Sequence, residues 1–269
     1  MSHSENGIRR TAAETLLSLP PLTRDMAFFL DLDGTLLEHV AHPQAVHADA
    51  SLLRLLGALS AACGGALALI SGRSIEDIDR LLAPLALPAA GQHGTELRLP
   101  QGTRRRDTPV IDKLGHAAAD IVRLTAAHEG LVFENKGMTL ALHYRMAPHL
   151  QDLAVHSMRG LAAALGGEFE LQEGKFVVEI KPSGKDKGTA INEFMNEAPF
   201  AGRQPVFVGD DLTDEYGFAA VNAMGGHAVK VGTGETRARW RAQDSVAVLA
   251  WLGEFAGRFG NRPAVRTTR

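Results

Sequence analysis

Met26-Ala27-Phe28-Phe29-Leu30-Asp31-Leu32-Asp33-Gly34-Thr35 is the stretch whose reading decides the fold. Its first five residues are continuously apolar, the pattern of a strand buried on both faces of a parallel sheet. Two carboxylates follow at the strand's carboxyl end. Alternate residues of an extended chain point the same way, so Asp31 and Asp33 project together into the crevice where open α/β sheets bind ligands. Gly34 then lets the chain leave the strand sharply. One carboxylate of such a pair can attack an electrophile while the other handles protons, and a divalent cation between them relieves their repulsion. A turn or a calcium-binding loop uses the same letters, so the reading needs support from elsewhere in the chain.

Three later segments supply it, each an apolar run ending in polar groups or a helix start carrying charge. Ala66-Leu67-Ala68-Leu69-Ile70 delivers Ser71-Gly72-Arg73-Ser74 just ahead of a helical pattern over 75–82. Backbone N–H groups and the helix dipole favour an anion there, and Arg73 offers the fork that fits phosphate. The plainer alternative makes Ser71 or Ser74 an N-cap. Lys185-Asp186-Lys187-Gly188 opens another helix with cations that oppose its macrodipole, explained either by a solvated loop or by neutralisation of a bound phosphate. Pro205-Val206-Phe207-Val208-Gly209 reads as a buried strand ending in Asp210-Asp211-Leu212-Thr213-Asp214-Glu215. Hard oxygen ligands in that density suit Mg²⁺. Acidic capping of the next helix accounts equally for Asp214 and Glu215, whereas Asp210 and Asp211 beside a hydrophobic sheet end are costly unless compensated.

The strand and helix alternation predicts an α/β, Rossmann-like, mainly parallel sheet. Character changes near Pro100-Gln101-Gly102-Thr103. Between there and Pro182-Ser183-Gly184 the periodicity gives the order αββαββ, a self-contained sheet with helices on one face inserted between the second and third polar segments. The expected organisation is a lead over 1–25, a core over 26–103 and 182–256, a cap over 104–181 and a flexible tail over 257–269. Arg104-Arg105-Arg106 reads as a solvated loop.

Composition agrees with a folded globular chain: 269 residues, 45% hydrophobic and 22% charged. The net charge of −3 gives no broad pull toward nucleic acid, and no basic run is interleaved with aromatics. Cys63 is the only cysteine, so neither an intrachain disulfide nor a thiolate metal site is available. No run approaches the roughly 18 apolar residues needed to span a bilayer, and the polar N-terminus lacks a following apolar segment, so a cytoplasmic protein without membrane contact is expected.

In this order the four polar segments resemble the haloacid dehalogenase superfamily of phosphohydrolases. More narrowly, the chain resembles the trehalose 6-phosphate phosphatases from about residue 26 to about residue 252, through the segments above together with Gly91-Gln92-His93-Gly94, Leu140-Ala141-Leu142-His143-Tyr144-Arg145 and Val178-Glu179-Ile180-Lys181-Pro182. The resemblance implies Asp31 as nucleophile, Asp33 as acid and base, and Ser71 and Lys187 on the transferring phosphoryl oxygens. Gly34, Thr35, Gly72 and Arg73 would complete the phosphate site. Lys187 takes the lysine role ahead of Lys185 and Lys181 because the family pattern sets it directly before a glycine. Mg²⁺, or Mn²⁺ with the same oxygen set, would be held by Asp31, the Asp33 carbonyl and Asp210, with Asp211 and Asp214 beside them. On the cap, Lys136 and Glu179 would contact the distal glucose, with His143 and Arg145 nearby; a hairpin salt bridge for Lys136 and an edge-strand charge for Glu179 are the alternative. Gln92, His93 and Gly94 would face the sugar from the core, Gly94 for close backbone approach, with a purely structural His93 as the alternative.

The implied partner is a small sugar phosphate, with a functional pairing to the synthase that makes it. Other outcomes stay open at this point: a phosphatase of sucrose phosphate or a mannosyl-glycerate phosphate, a phosphotransferase or mutase, or a catalytically idle sugar-phosphate sensor.

Overall fold

The computed structural model describes residues 19–38, 47–106, 111–174 and 176–260. Most of the expected lead, and the tail beyond residue 260, lie outside the described residues. In chain order the core begins with β1 (Met26–Leu30), α1 (Ala50–Ala62), β2 (Leu67–Ile70), α2 (Ile75–Leu82), β3 (Ala89–Gly91), β4 (Glu96–Arg98) and β5 (Arg104–Arg106). A second unit follows: α3 (Ile111–Ala127), β6 (Val132–Asn135), β7 (Leu140–His143), α4 (Gln151–Leu165), β8 (Phe169–Gly174) and β9 (Val177–Pro182). The chain then returns through α5 (Lys187–Met195), β10 (Gln204–Gly209), α6 (Asp214–Ala223), β11 (His227–Val231), β12 (Trp240–Ala242) and α7 (Ser245–Phe259).

β1 is central in an eight-stranded sheet of order β12-β11-β10-β1-β2-β3-β4-β5, parallel from β12 through β3, and all five of its residues are buried. Its continuous apolar run is explained by what covers each face. Phe28 points one way, its ring 5.0 Å from Phe255 of α7, and Phe29 points the other, 6.0 Å from Phe194 of α5 and 5.4 Å from Phe200. Truncating either ring to Ala would cost about 3–5 kcal/mol. Leu30 pairs in parallel with both Val208 and Leu69, so β1, β2 and β10 end at one level. That register brings Asp31, Ser71 and Asp210 to a common sheet edge.

The inserted unit forms its own antiparallel sheet, β6-β7-β9-β8, in the expected αββαββ order. Leu140, Leu142, Val178 and Ile180 face its helices and pack with Leu114, Ile121 and Met158 in a second hydrophobic core. The opposite face carries a row of partners in register: Glu134, Ala141, Glu179 and Gln172.

Two expectations change. Arg104–Arg106 is a strand rather than a solvated loop, and it belongs to the core sheet, where β5 pairs antiparallel with β4. Arg104 and Arg105 reach Asp79 (2.8 Å) and Glu197 (3.2 Å), and such charge on an edge strand discourages pairing with another chain. The final helix, α7, also runs on to Phe259, into the segment expected to be a flexible tail. Three-residue strands such as β3, β4 and β12 offer too little alternation to be read from sequence.

Candidate active site

Lys187 stands at the first position of α5, and its side chain is almost completely buried. Its Nζ donates to Asp31 Oδ1 at 2.9 Å and to Asp214 Oδ1 at 2.6 Å. Asp186 caps the helix through a reciprocal bond pattern with Thr189, which fixes where Lys187 begins. Burial alone would lower the ammonium's pKa, but Asp214 and Asp31 hold it well above the ordinary lysine value. Burial raises the Asp31 carboxyl well above its ordinary value against the pull of Lys187, and the neighbouring Asp214 and Asp210 add to the rise. Burial likewise raises Asp214.

Asp214 is no ordinary helix cap. Its Oδ2 turns back to accept the backbone N–H groups of Asp210 and Asp211 at 2.9 and 2.8 Å, tying the acidic loop to the helix behind it. A Cβ on Gly209 would come within 2.3 Å of the Asp214 Cγ, so only glycine admits this carboxylate. Lys230 of β11 donates to the Asp210 carbonyl, and Thr35 Oγ1 approaches Asp210 Oδ1 at 3.5 Å.

Arg73 forms a bidentate pair with Asp33, Nε to Oδ2 at 2.7 Å and Nη2 to Oδ1 at 2.6 Å. Ser71 Oγ accepts the Arg73 backbone N–H at 3.1 Å, while Ser74 caps α2 through the Asp77 N–H. Gly34 makes the turn after β1 with φ of 83°, in the left-handed region glycine favours.

Above this edge lies the polar face of the smaller sheet. Lys136 Nζ donates to Glu179 Oε1 at 2.5 Å and to the Gly72 carbonyl at 3.1 Å. Glu179 Oε2 stands 2.7 Å from His93 Nε2. Burial would raise the Glu179 carboxyl, but Lys136 and His93 together hold it well below the usual carboxylate range. Burial would lower Lys136, and Glu179 with Glu134 holds it above the ordinary value; His93 is lowered by burial.

Sequence reasoning missed Glu134, whose carboxylate accepts from His143 Nε2 at 2.9 Å, and Thr139, whose hydroxyl donates to Gln92 Oε1 at 3.3 Å. The signal was available: Glu134 alternates with the apolar Phe133, on the face that Glu179 shares.

The expected residues do not all converge. Arg145 lies in the turn after β7 with its guanidinium 5.3 Å from the Phe176 ring centroid. At Gly94 an added Cβ would meet the Asp186 carbonyl at 2.9 Å, so packing on α5 by itself requires a glycine there. Asp211 turns Oδ1 to the Leu212 N–H at 2.6 Å, and the Asp33 carboxylate is taken by Arg73.

The carboxylates that do converge are Asp31, Asp210 and Asp214, each offering an oxygen within 4.8 Å of the others. Lys187 is the ammonium bonded within this trio, which leaves two more negative than positive charges among the four side chains. An all-oxygen donor set with that charge fits a hard divalent cation. No described helix is long and apolar enough to cross a membrane.

A Rossmann-like sheet with an inserted αββαββ cap, an aspartate pair after β1 and a lysine and acidic loop returning from later in the chain define a phosphatase of the haloacid dehalogenase type. The chain belongs to the trehalose-phosphatase family, whose model matches residues 29–248. It is 47% identical over 243 residues to trehalose-6-phosphate phosphatase of Escherichia coli K12, covering 89% of this chain and 90% of that one. It is 34% identical over 241 residues to a bifunctional trehalose-6-phosphate synthase/phosphatase of Thermoproteus tenax, covering 85% of this chain and 32% of the longer relative. Among solved structures, a trehalose-6-phosphate phosphatase related protein superposes with a TM-score of 0.74 at 27% identity, covering 87% of this chain and 97% of that one. A sucrose-phosphatase from Synechocystis, TM-score 0.55 at 19% identity over 87% of this chain and 98% of that one, shares the fold.

Proposed function

We propose that this chain hydrolyses trehalose 6-phosphate to trehalose and inorganic phosphate through an aspartyl-phosphate on Asp31. The observation that carries the chemistry is the shared ammonium: Lys187 bonds the carboxylate of Asp31 at 2.9 Å and that of Asp214 at 2.6 Å at the sheet edge where β1, β2 and β10 end. A buried carboxylate beside a fixed cation is poised to meet a phosphoryl group whose charge the cation shares.

In the first step an Asp31 oxygen attacks phosphorus, and the bond from phosphorus to the sugar oxygen breaks as Asp33 gives that oxygen a proton. In the second, Asp33 takes a proton from water, whose oxygen attacks phosphorus and frees phosphate and the Asp31 carboxylate. Ser71 and Lys187 hold phosphoryl oxygens, and Arg73 turns to them from Asp33 once Asp33 is protonated. Asp31, Asp210, Asp214 and the Asp33 carbonyl would hold Mg²⁺, which when bound neutralises charge between the attacking carboxylate and the phosphoryl group.

The sugar assignment is supported by the family and by the polar cap face of Lys136, Glu134, His143 and Glu179, whose charged groups suit a hydroxyl-rich disaccharide. The bifunctional Thermoproteus relative supports a functional pairing with a synthase. With Cys63 as the single cysteine the chain holds no intrachain disulfide, which fits the reducing cytoplasm as the working compartment.

The test is Mg²⁺-dependent phosphate release from trehalose, sucrose and glucose phosphates, with Asp31→Asn as control. Preference for trehalose 6-phosphate that vanishes in the variant is expected. Release from another sugar instead would overturn the substrate, and undiminished release by the variant would overturn the nucleophile.

A further inference from the structure

The buried turn Gln92-His93-Gly94 touches three parts of the site at once. Toward the phosphate loop, the Gln92 N–H donates to the Arg73 carbonyl at 2.8 Å and the His93 N–H to the Ser71 carbonyl at 3.1 Å. The His93 imidazole lies directly on Gly72, where an added Cβ would come within 2.8 Å of Cε1. Toward the cap, Gln92 Oε1 accepts from Thr139 at 3.3 Å and His93 Nε2 contacts Glu179 at 2.7 Å. Toward α5, the Gly94 position abuts the carbonyl of Asp186, the residue that caps the helix of Lys187.

The turn is held at a backbone cost. Gln92 and His93 both sit in the left-handed region, with φ of 46° and 57°, a conformation that disfavours side-chain-bearing residues and persists only where surroundings enforce it. The enforcement is visible: Gln92 Nε2 donates to Glu96 Oε1 at 2.7 Å, and Glu96 Oε2 accepts the Ile75 N–H at the start of α2 at 3.0 Å. His93 Nδ1 is buried without a partner, which is unfavourable for packing alone.

Resting on the phosphatase reading above, we infer that this turn is a positioning element, with His93 wedged between Gly72 and Glu179 so that seating of the cap on a sugar sets the phosphate loop and the start of α5. His93 acts through these groups rather than on the reacting atoms.

The experiment compares His93→Ala and the gentler Thr139→Val with wild type on trehalose 6-phosphate and on p-nitrophenyl phosphate, which has no sugar for the cap to grip. His93→Ala should lower kcat on the sugar phosphate about tenfold or more beyond any loss on the aryl phosphate, with Thr139→Val moving the ratio the same way to a smaller extent. His93→Gln, which keeps a donor for Glu179, should recover part of the ratio. A purely structural turn would lower both rates by one factor, and that result overturns the inference.

Amide hydrogen exchange of the free protein gives a readout independent of the substrate. His93→Ala should speed exchange both at the hairpin tip 136–139 and in the phosphate loop 71–74. Change confined to residues 92–94 overturns the inference even if wild type prefers another sugar, whereas loss of the trehalose preference in wild type alone overturns only the substrate assignment.

Discussion

Arg73 grips Asp33 across the sheet edge through both carboxylate oxygens, joining the loop after β2 to the loop after β1. A planar fork makes two parallel bonds that an ammonium cannot reproduce. Arg73→Lys should therefore keep the charge but lose the geometry. Because the Asp33 carboxylate is about a third exposed, the stability change should stay within about 1 kcal/mol. Steady-state kinetics should show kcat reduced about tenfold to a hundredfold with KM raised; unchanged kinetics would remove Arg73 from the phosphate site.

Gly209 is tested by adding one carbon. Its Cβ would collide with the Asp214 carboxyl, so Gly209→Ala must displace the group that bonds Lys187 and the Asp210 and Asp211 amides. Displacement of this order at a reacting centre costs about a hundredfold in rate. Overpacking should also destabilise the fold by about 1–3 kcal/mol. A variant with near-normal turnover and an unchanged melting temperature would show that Asp214 has room to move.

The cation site should reveal itself in stability. A ligand bound only by the folded chain stabilises it by mass action, about 2.7 kcal/mol at one hundred times its dissociation constant. Wild type should melt higher as Mg²⁺ is added, and Asp210→Asn should need more Mg²⁺ for the same shift. Equal titration curves for the two proteins would place the ion elsewhere than the Asp31, Asp210 and Asp214 trio.

The core architecture was legible because β1, β2 and β10 are short continuous apolar runs that end in chemistry, and because a period of 3.6 takes over between them. Asp31 and Lys187 are 156 residues apart in sequence, and only the motif order of a family, not local spacing, brings them together on the page. What stayed hidden depends on contacts between elements. The packing of Gly94 on Asp186 was not legible, because a left-handed φ and a missing side chain say nothing of which element lies against them. Arg104–Arg106 read as a loop because an edge strand needs no apolar alternation. The sequence groups Asp211 with Asp210 and leaves Asp214 open to helix capping, yet the first helical turn aims Asp214 back into the loop while Asp211 turns to its own neighbour's N–H.

The contacts between cap and core predict an acid-sensitive fold whose two stages can be separated. His93 is held below its ordinary value of 6.5 by burial, so the unfolded chain binds the proton more readily and stability falls as pH drops below about 6.5. Glu179 is held well below its ordinary value of 4.5, so its contribution is present above that value and is lost as pH falls further. Lys136, held above 10.5, keeps its contribution through neutral pH and loses it only in strong base. Urea unfolding at pH 7.5, 5.5 and 3.5 should show these two losses in wild type, set against an opposing gain from Asp31 and Asp214, whose raised carboxyls take up protons more readily in the folded chain. His93→Gln should flatten the first interval and Glu179→Gln the second, even though Glu179→Gln also lowers stability at pH 7.5 by weakening the pairing of buried Lys136. If the Glu179→Gln profile ran parallel to wild type from pH 5.5 to 3.5, the carboxylate would not be the group that Lys136 and His93 hold in its charged form.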